Sequence, residues 1–497
     1  MKIANGLDSI KNLGATAKME RRNFLKYTSL AATGFALTAC GQDNLLNLFK
    51  GDRSSKSSQA VNFGKLEKTY LTLGIAPVMD CAPIIIAKEN GLFERYGLTV
   101  GFSKKGDWAA VEEGLRQGEL DASIAPFGLP MLGQLGSTKT PIVSLMMLNL
   151  NGRSITLAKQ AWEAGIRPSI EYFKFSEFAE SYRKYIRKLE EPAPLAIEST
   201  SSMDNYLSRY WLSTMGINPD QEVDLVEFPP SQMIYKIKAG MVDGYCVGSP
   251  WNQQAALEKA GFTSYVSRDI WQGHPGKVLA TMQAWLEENP NTARALVAAV
   301  LEACQFCDQP ENRRPPENRQ GKNPPSIAEV LAQSKYLDTN LQYIEPSLLG
   351  NYHYGGFDGQ ERVKKIPDFY LFHYKKDTDY LNKPDHANYP WRSHAVWLLT
   401  QMIRWNQIEM NQYPADADQI IDRIYPLKVY EDVAEALNIP LPSDRLKVEP
   451  AEVFIDRREF DPSQPVQYLN SFAIRAGRPQ FFALGEVGSG EESRKPG

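Results

Sequence analysis

Hydrophobic and polar positions alternate at the start of the globular part of the chain. Leu71, Leu73 and Ile75 are separated by polar or small residues, which predicts a strand over residues 69–76. A proline, a run of isoleucines and a glycine stop then predict a short helix over residues 83–90. Strand and helix patterns continue to alternate at residues 97–102, 111–117, 122–125 and 142–147. This order is typical of an α/β sheet whose parallel strands are joined by helices.

A weak internal repeat divides the chain into two similar lobes. The segment GLRQGELDASIAP at residues 114–126 is echoed by KIKAGMVDGYCVGSP at residues 236–250, and each contains a helix pattern, a glycine stop, an acidic residue and an apolar strand. We therefore expect residues 149–248 to form the second lobe. Residues 68–148 and 249–472 are expected to form the first lobe with a C-terminal extension. The chain would then cross between lobes twice, near LNLNG and near CVGSP.

The later half of the chain follows the repeat less closely. Residues 285–307 and 395–405 have helical patterns, and the Pro-, Asn- and Arg-rich residues 308–325 are expected to form an exposed loop of open function. Residues 473–497 end in a Gly-, Ser- and Glu-rich stretch and are predicted to form a C-terminal tail.

The amino terminus carries an export signal. Arg21 and Arg22 precede an apolar run over residues 27–37, which is too short to span a bilayer comfortably, and the run ends in LTACG. A twin-arginine signal over residues 1–40, with a lipobox that makes Cys40 the lipid attachment residue, explains this pattern. The Ser- and Lys-rich residues 41–67 are expected to be a flexible tether, and either Met1 or Met19 serves as the start.

Composition and charge exclude several classes of protein. The chain has 497 residues, 43% of them hydrophobic, and a formal net charge of -4, so we expect a large core and no nucleic-acid partner. No later stretch is apolar for 18 residues, so the chain does not form a channel by itself. Cys304 and Cys307 lie on one predicted helix without a second pair nearby, and a core position is favoured over a zinc or redox site.

The heptapeptide QGHPGKV, which contains Lys277, looks like the end of a phosphate-binding loop. The glycine that such a loop needs six residues before the lysine is Trp271 here, and the Ser or Thr after the lysine is Val278. Lys277 is therefore either a surface lysine or faces some other anion.

The sequence resembles the periplasmic solute-binding lipoproteins of the nitrate and bicarbonate ABC importers, known best from cyanobacteria. The resemblance runs from about residue 69 to about residue 472 and rests on AKENGLFERYGLTV, YWLSTMGINPDQEVDLVEFPPSQMIYKIKAGMVDGYCVGSPWN, IWQGHPGKVLA and YPWRSHAVWLLTQMIRW. It implies an α/β, two-lobed clamp of the type II periplasmic-binding-protein kind, with each lobe a mixed or parallel sheet flanked by helices. Such a clamp closes on a small oxyanion in the cleft between the lobes and delivers it to permease and ATPase subunits in the membrane.

The resemblance also implies which residues bind the ligand. Trp108 matches the tryptophan that lines the cleft, Gly248 matches a glycine whose backbone lies against the ligand, and Lys277 matches the lysine that neutralises nitrate. Bicarbonate-binding members have a glutamate at the lysine position and recruit a cation, so Lys277 favours an anion without a metal or other cofactor. Arg153 and Asp204 stand where nitrate-binding members have a glutamine and a histidine.

Asp204 is the difficult residue for an anion site. At about 4 Å and an effective dielectric near 20, its repulsion of the anion would be on the order of 4 kcal/mol. An ion pair between Arg153 and Asp204 is the preferred solution. The alternatives are a cation that accompanies bicarbonate, or a different solute whose amine end meets Asp204.

The sequence therefore predicts a lipid-anchored solute-binding protein on the periplasmic side of the inner membrane, and not an enzyme. Nitrate or nitrite is the preferred ligand, with bicarbonate, cyanate or an organic anion as alternatives. A sensor without a transport role and an enzyme on the same fold are the competing classes, although no catalytic motif occurs. The segment at residues 199–201 either donates N–H groups to the anion or caps a helix, and the histidines lack metal-ligand spacing.

Overall fold

The computed structural model describes residues 60–314, 325–373, 386–410 and 412–475, and all of them belong to one compact unit. The predicted signal with Cys40, most of the tether and most of the C-terminal tail lie outside the described residues. Within the described part of the chain, no helix is both long enough and apolar enough to cross a bilayer.

The described strands are short and follow one another in chain order. They are β1 (Tyr70–Ile75), β2 (Thr99–Lys104), β3 (Ala122–Pro126), β4 (Ile142–Met147), β5 (Leu150–Asn151), β6 (Arg153–Leu157), β7 (Ala193–Ile197), β8 (Val223–Glu227), β9 (Gly244–Gly248), β10 (Phe262–Val266), β11 (Lys277–Met282), β12 (Asn351–His353), β13 (Val363–Lys365) and β14 (Tyr370–Leu371).

Helices occupy most of the chain between the strands and dominate the C-terminal extension. They are α1 (Ala82–Glu89), α2 (Leu92–Arg95), α3 (Trp108–Arg116), α4 (Leu129–Leu135), α5 (Lys159–Glu163), α6 (Phe175–Ile186), α7 (Met203–Thr214), α8 (Met233–Lys238), α9 (Trp251–Leu257), α10 (Gln283–Glu288), α11 (Pro290–Asp308), α12 (Pro310–Arg313), α13 (Ile327–Ala332), α14 (Leu341–Leu349), α15 (Arg392–Arg404), α16 (Ala417–Ile424), α17 (Leu427–Ala436) and α18 (Pro465–Asn470).

The two main sheets share one topology. The first has the order β2-β1-β3-β11-β4 and the second, read from its other end, has the order β8-β7-β9-β6-β10. In each sheet the first three strands are parallel to one another, and the last two run antiparallel to their neighbours. The two repeated segments supply β3 and β9, which hold equivalent positions. The α/β architecture of two mixed sheets flanked by helices, predicted above, is therefore confirmed.

The chain returns to the first sheet later than expected. The sequence pattern predicts the return near Gly248, but β10 pairs with β6 in the second sheet, so the return lies between Val266 and Lys277. Each crossover leads directly into the antiparallel inner strand of the sheet that it enters, β6 on the outward path and β11 on the return. Local sequence patterns do not reveal which sheet a strand joins after a crossover, because an inner antiparallel strand has the same apolar composition as its neighbours.

The C-terminal extension covers the first lobe and reaches the crossover. Helix α11 is buried along most of its length and packs against α1 and α17. Strand β14 pairs with β5, and Tyr370 lies opposite Asn151 in this pair. The pairing brings the extension against the first crossing between the lobes. The first residues of the expected exposed loop at residues 308–325 form the short helix α12 instead. Its Arg313 is buried and donates to the carbonyl oxygens of Cys307 at 2.7 Å and Leu348 at 3.0 Å.

Candidate functional site

One buried carboxylate collects donors from both lobes. Glu198 follows directly after β7 of the second sheet, and its Oε2 forms an ion pair with Nζ of Lys277, the first residue of β11 in the first sheet. Trp108 Nε1 donates to the same Oε2 at 3.0 Å, and the backbone N–H of Gly248 donates to Oε1 at 3.2 Å. Lys277 Nζ also lies 4.4 Å from the centre of the Trp108 ring, a cation–π contact. The carboxylate of Glu198 is therefore bound by an ammonium, an indole and a backbone donor.

Local structure fixes two of these donors, Trp108 and Gly248. Trp108 is the first residue of α3, whose N-cap Asp107 accepts a hydrogen bond from Ala110 N at 2.8 Å. Gly248 is the last residue of β9, and a Cβ on it would lie 2.9 Å from Asp80 Oδ2 and 3.6 Å from Glu198 Oε1. Only a residue without a side chain allows the backbone to approach both carboxylates this closely.

A second group of charges lies beside the first. Arg153 Nε is 2.7 Å from Asp204 Oδ1, and Arg153 Nη2 is 3.4 Å from Asp80 Oδ1. Tyr370 of the extension donates from its hydroxyl to Asp80 Oδ2 at 3.2 Å. Because Arg153 is opposite Gly248 in the β6–β9 register, the two groups of charges meet at Gly248.

The two groups are related by the pseudo-symmetry of the sheets. Lys277 and Arg153 each begin the antiparallel inner strand of their sheet, and each lies opposite the last residue of a parallel strand. Glu198 and Asp80 each follow the equivalent parallel strand, β7 and β1. The cation of each lobe pairs with the carboxylate of the other, so two cross-lobe ion pairs are buried at the interface.

Burial makes the charge balance of the site decisive. The side chains of Lys277, Glu198, Arg153, Asp204 and Asp80 are all 0% exposed. Two cations thus face three carboxylates. Burial, and then the negative charge of Glu198, raise the pKa of Asp204 to about 7. Burial alone would raise the pKa of Glu198, but Lys277 and Arg153 outweigh it and hold that pKa below its ordinary value.

The structure brings together all of the ligand residues inferred from the sequence. Trp108, Gly248 and Lys277 surround Glu198, and Arg153 and Asp204 form the ion pair that was preferred above. Lys277 is not a surface lysine but a fully buried one. The roles of these residues in ligand binding stay predictions.

Sequence reasoning missed two of the three carboxylates and one hydroxyl. Glu198 stands at the end of an apolar strand, directly before the residues 199–201 that were considered, and Asp80 stands in the apolar segment PVMDCAP. An isolated acidic residue in an apolar segment indicates a buried, paired charge, and this pattern predicts both Glu198 and Asp80. Tyr370 gives no such signal, because only the pairing of β14 with β5 brings it to the site.

Other candidate residues are structural. Ser202, which follows residues 199–201, caps α7 by accepting from Asn205 N, and Thr200 N donates to Glu227 Oε1 at 2.6 Å and so is directed away from Glu198. Cys304 and Cys307 are buried free thiols on α11, and burial raises the pKa of both. Over the described ranges, no group of three or more His, Cys, Asp or Glu side chains is arranged to hold a metal ion.

Two α/β lobes with a buried polar site at their interface are the architecture of periplasmic solute-binding proteins. The structure matches the crystal structure of the periplasmic nitrate-binding protein NrtA from Synechocystis PCC 6803 with a TM-score of 0.72, at 26% identity, over 83% of this chain and 100% of that one. The chain belongs to the NMT1-like family, whose model matches residues 64–316.

Curated relatives agree with this assignment. The nitrate/nitrite binding protein NrtA of Nostoc sp. strain PCC 7120 is 30% identical over 473 residues, which is 92% of this chain and 99% of that protein. The nitrate import ATP-binding protein NrtC of Synechocystis sp. strain PCC 6803 is 34% identical over 425 residues, but the chain spans only 58% of its length. The relatives that the chain covers almost completely are named as nitrate/nitrite or nitrate-binding proteins.

Proposed function

We propose that this chain is the solute-binding component of an ABC importer and that it captures a small planar oxyanion, nitrate or nitrite before others. The convergence of Lys277, Trp108 and Gly248 on the carboxylate of Glu198 carries this proposal. A carboxylate is a planar group that spreads one negative charge over its oxygens, as nitrate and nitrite do. Donors that bind one such group from both lobes are suited to bind another.

The same donors replace the water that an anion loses when the lobes close. Lys277 supplies a point charge, Trp108 an apolar ring face with one N–H, and Gly248 a backbone N–H that needs no side chain. The names of the binding-protein relatives, which refer to nitrate and nitrite, support the same class of ligand. In this proposal the oxyanion takes the position of the Glu198 carboxylate, and Glu198 moves aside.

Calorimetric titration of the metal-free protein tests the ligand. Nitrate, nitrite, bicarbonate and cyanate are titrated separately, with and without calcium, into the unaltered chain, Trp108→Phe and the control Trp285→Phe. Trp285 donates to Asp121, away from the site. We expect nitrate or nitrite to bind without calcium, and Trp108→Phe, but not Trp285→Phe, to weaken binding about tenfold through the lost hydrogen bond. Binding of bicarbonate only with calcium would favour the cation-assisted alternative, and no binding of any anion would refute the proposal.

We further propose that the mature protein is anchored through Cys40 on the periplasmic side of the inner membrane and works with permease and ATPase subunits. The twin-arginine pattern and the lipobox support the anchor. Incorporation of labelled palmitate and recovery in the membrane fraction are expected for the unaltered chain and are expected to be lost in Cys40→Ala. Uptake of labelled nitrate in cells that carry or lack this gene separates a transport role from a sensor.

A further inference from the structure

We propose that Glu198 is an internal competitor for the anion site and that capture of one oxyanion is coupled to the uptake of one proton by Glu198. This inference rests on the proposed function, since it concerns how the same site admits its ligand. It assigns to Glu198, rather than to the donors around it, control of the pH range in which the ligand binds.

The geometry makes the two anions exclusive. The donors that Lys277, Trp108 and Gly248 offer to the ligand are all directed at Glu198. The site is closed around this carboxylate, whose residue is only 3% exposed. An oxyanion on the same donors must therefore displace the Glu198 carboxylate from its hydrogen bonds.

The charges around the site decide what happens to the displaced group. The charged and titratable groups around Glu198 are Lys277 and Asp80 of the first lobe, Arg153, Asp204 and Cys246 of the second lobe, and Tyr370 of the C-terminal extension. With Glu198 still ionised, a bound nitrate would raise the negative groups from three to four against the same two cations. Burying an uncompensated charge is expensive, and neutralisation by a proton is the usual response of a buried carboxyl. A protonated Glu198 restores the charge balance that existed before the anion entered.

Linkage fixes the sign of the pH dependence. In the free protein Lys277 and Arg153 hold the pKa of Glu198 below its ordinary value. When the anion takes Lys277, Glu198 loses that compensation and gains a negative neighbour, so its pKa rises. Between the two pKa values one proton is taken up for each anion, and the affinity falls by up to about tenfold for each pH unit of increase.

The experiment measures the number of protons bound per anion. Nitrate is titrated calorimetrically at pH 6, 7 and 8 in buffers of different ionisation enthalpy, and the dissociation constant is followed from pH 6 to pH 9. The unaltered chain is compared with Glu198→Gln and with Glu227→Gln. Glu227 is an exposed glutamate at the end of the neighbouring strand β8, so it undergoes the same chemical change outside the site. Asp204→Asn is included because burial raises the pKa of Asp204 to about 7, so Asp204 is a second group that could take up a proton in this range.

At pH 6 we expect about one proton per nitrate for the unaltered chain, Glu227→Gln and Asp204→Asn, and close to none for Glu198→Gln. Glu198→Gln is also expected to bind nitrate more tightly at pH 8, with little dependence on pH. Nitrate binding without proton uptake by the unaltered chain at any of the three pH values would overturn the inference and leave the proposed function intact, whether or not the variants fold. Proton uptake that persists in Glu198→Gln and disappears in Asp204→Asn would also overturn it. Absence of binding to every anion would refute the proposed function itself.

Discussion

Lys277 of the first lobe is paired with Glu198 of the second, and Arg153 of the second lobe is paired with Asp80 of the first. The two pairs occupy equivalent positions of a repeated sheet topology, so each lobe contributes one cation and one carboxylate to the other. Separation of the lobes would break both pairs at once and expose both donors. The two buried ion pairs therefore hold the lobes together at the same place where the proposed ligand would bind.

Replacement of Lys277 by methionine is expected to destabilise the protein strongly. The substitution keeps an apolar chain of similar length but leaves Glu198 buried without its ion-pair partner, a loss of about 3 to 5 kcal/mol for a pair of this kind. Denaturant unfolding monitored by circular dichroism measures the change. The double variant Lys277→Met with Glu198→Gln removes both charges and is expected to recover much of the loss. Equal instability of the single and double variants would contradict an ion pair that matters for stability.

Replacement of Asp204 by asparagine is expected to change how stability depends on pH. Burial raises the pKa of Asp204 to about 7 in the folded protein, above its value in the unfolded chain, so the folded state binds more protons in this range. The stability of the unaltered protein should therefore fall, relative to Asp204→Asn, by up to about 1.4 kcal/mol per pH unit as the pH rises from about 4 to 7. Above pH 7 the difference should level off.

Urea unfolding of both proteins at intervals of half a pH unit checks this expectation. Taking the difference between the two curves cancels the carboxylates that they share. A flat difference between pH 4 and pH 7 would mean that the pKa of Asp204 is not raised, and a slope of opposite sign confined to pH values below about 4 would mean that Arg153 keeps Asp204 ionised.

The repeated lobes could be predicted from the sequence because their signals are local. A helix pattern, a glycine stop and an apolar strand recur at residues 114–126 and 236–250, and the structure gives these segments equivalent places, β3 and β9. The sheet that each later strand joins could not be predicted in this way. Which sheet β10 or β11 joins depends on pairing between residues far apart in the chain, and a single sequence contains no local signal for it.

The family resemblance predicts individual residues of the candidate site but not the carboxylates Glu198 and Asp80 that pair with its cations. Resemblance supplied Trp108, Gly248 and Lys277, but it could not supply Glu198 because the motif describes contacts to a ligand. The sequence does not give the distance between Asp204 and a cation. The repulsion between Asp204 and an anion can therefore be estimated from the sequence, but the residue that offsets it cannot be identified with certainty. In the structure, Arg153 Nε lies 2.7 Å from Asp204 Oδ1.

Replacement of Tyr370 by phenylalanine tests the part of the site that the C-terminal extension supplies. The Tyr370 hydroxyl donates to Asp80 Oδ2 at 3.2 Å, and its loss leaves a buried carboxylate oxygen with one donor fewer. We expect a loss of stability of about 1 to 3 kcal/mol and weaker anion binding, because Asp80 helps to position Arg153.

Tyr389→Phe is the matched control for Tyr370→Phe. The Tyr389 hydroxyl donates to Glu431 at 3.3 Å, and that carboxylate has a side-chain exposure of 22%, so water can replace the lost donor. A smaller loss of stability and unchanged anion binding are expected. Equal effects of the two substitutions on binding would argue against a specific role for the extension at the site.

Replacement of Gly248 by alanine tests whether the ligand lies against this backbone. The added Cβ would stand 2.9 Å from Asp80 Oδ2 and 3.6 Å from Glu198 Oε1. Asp80 cannot yield freely, because Tyr370 and Arg153 hold both of its oxygens. The methyl group therefore occupies space beside the donors. We expect the dissociation constant for nitrate to rise at least tenfold, which is a loss of about 1.4 kcal/mol of binding free energy. Gly106→Ala serves as the control, since a Cβ there meets nothing within 4 Å. Unchanged affinity in Gly248→Ala, measured by the same calorimetric titration, would place the ligand away from Gly248.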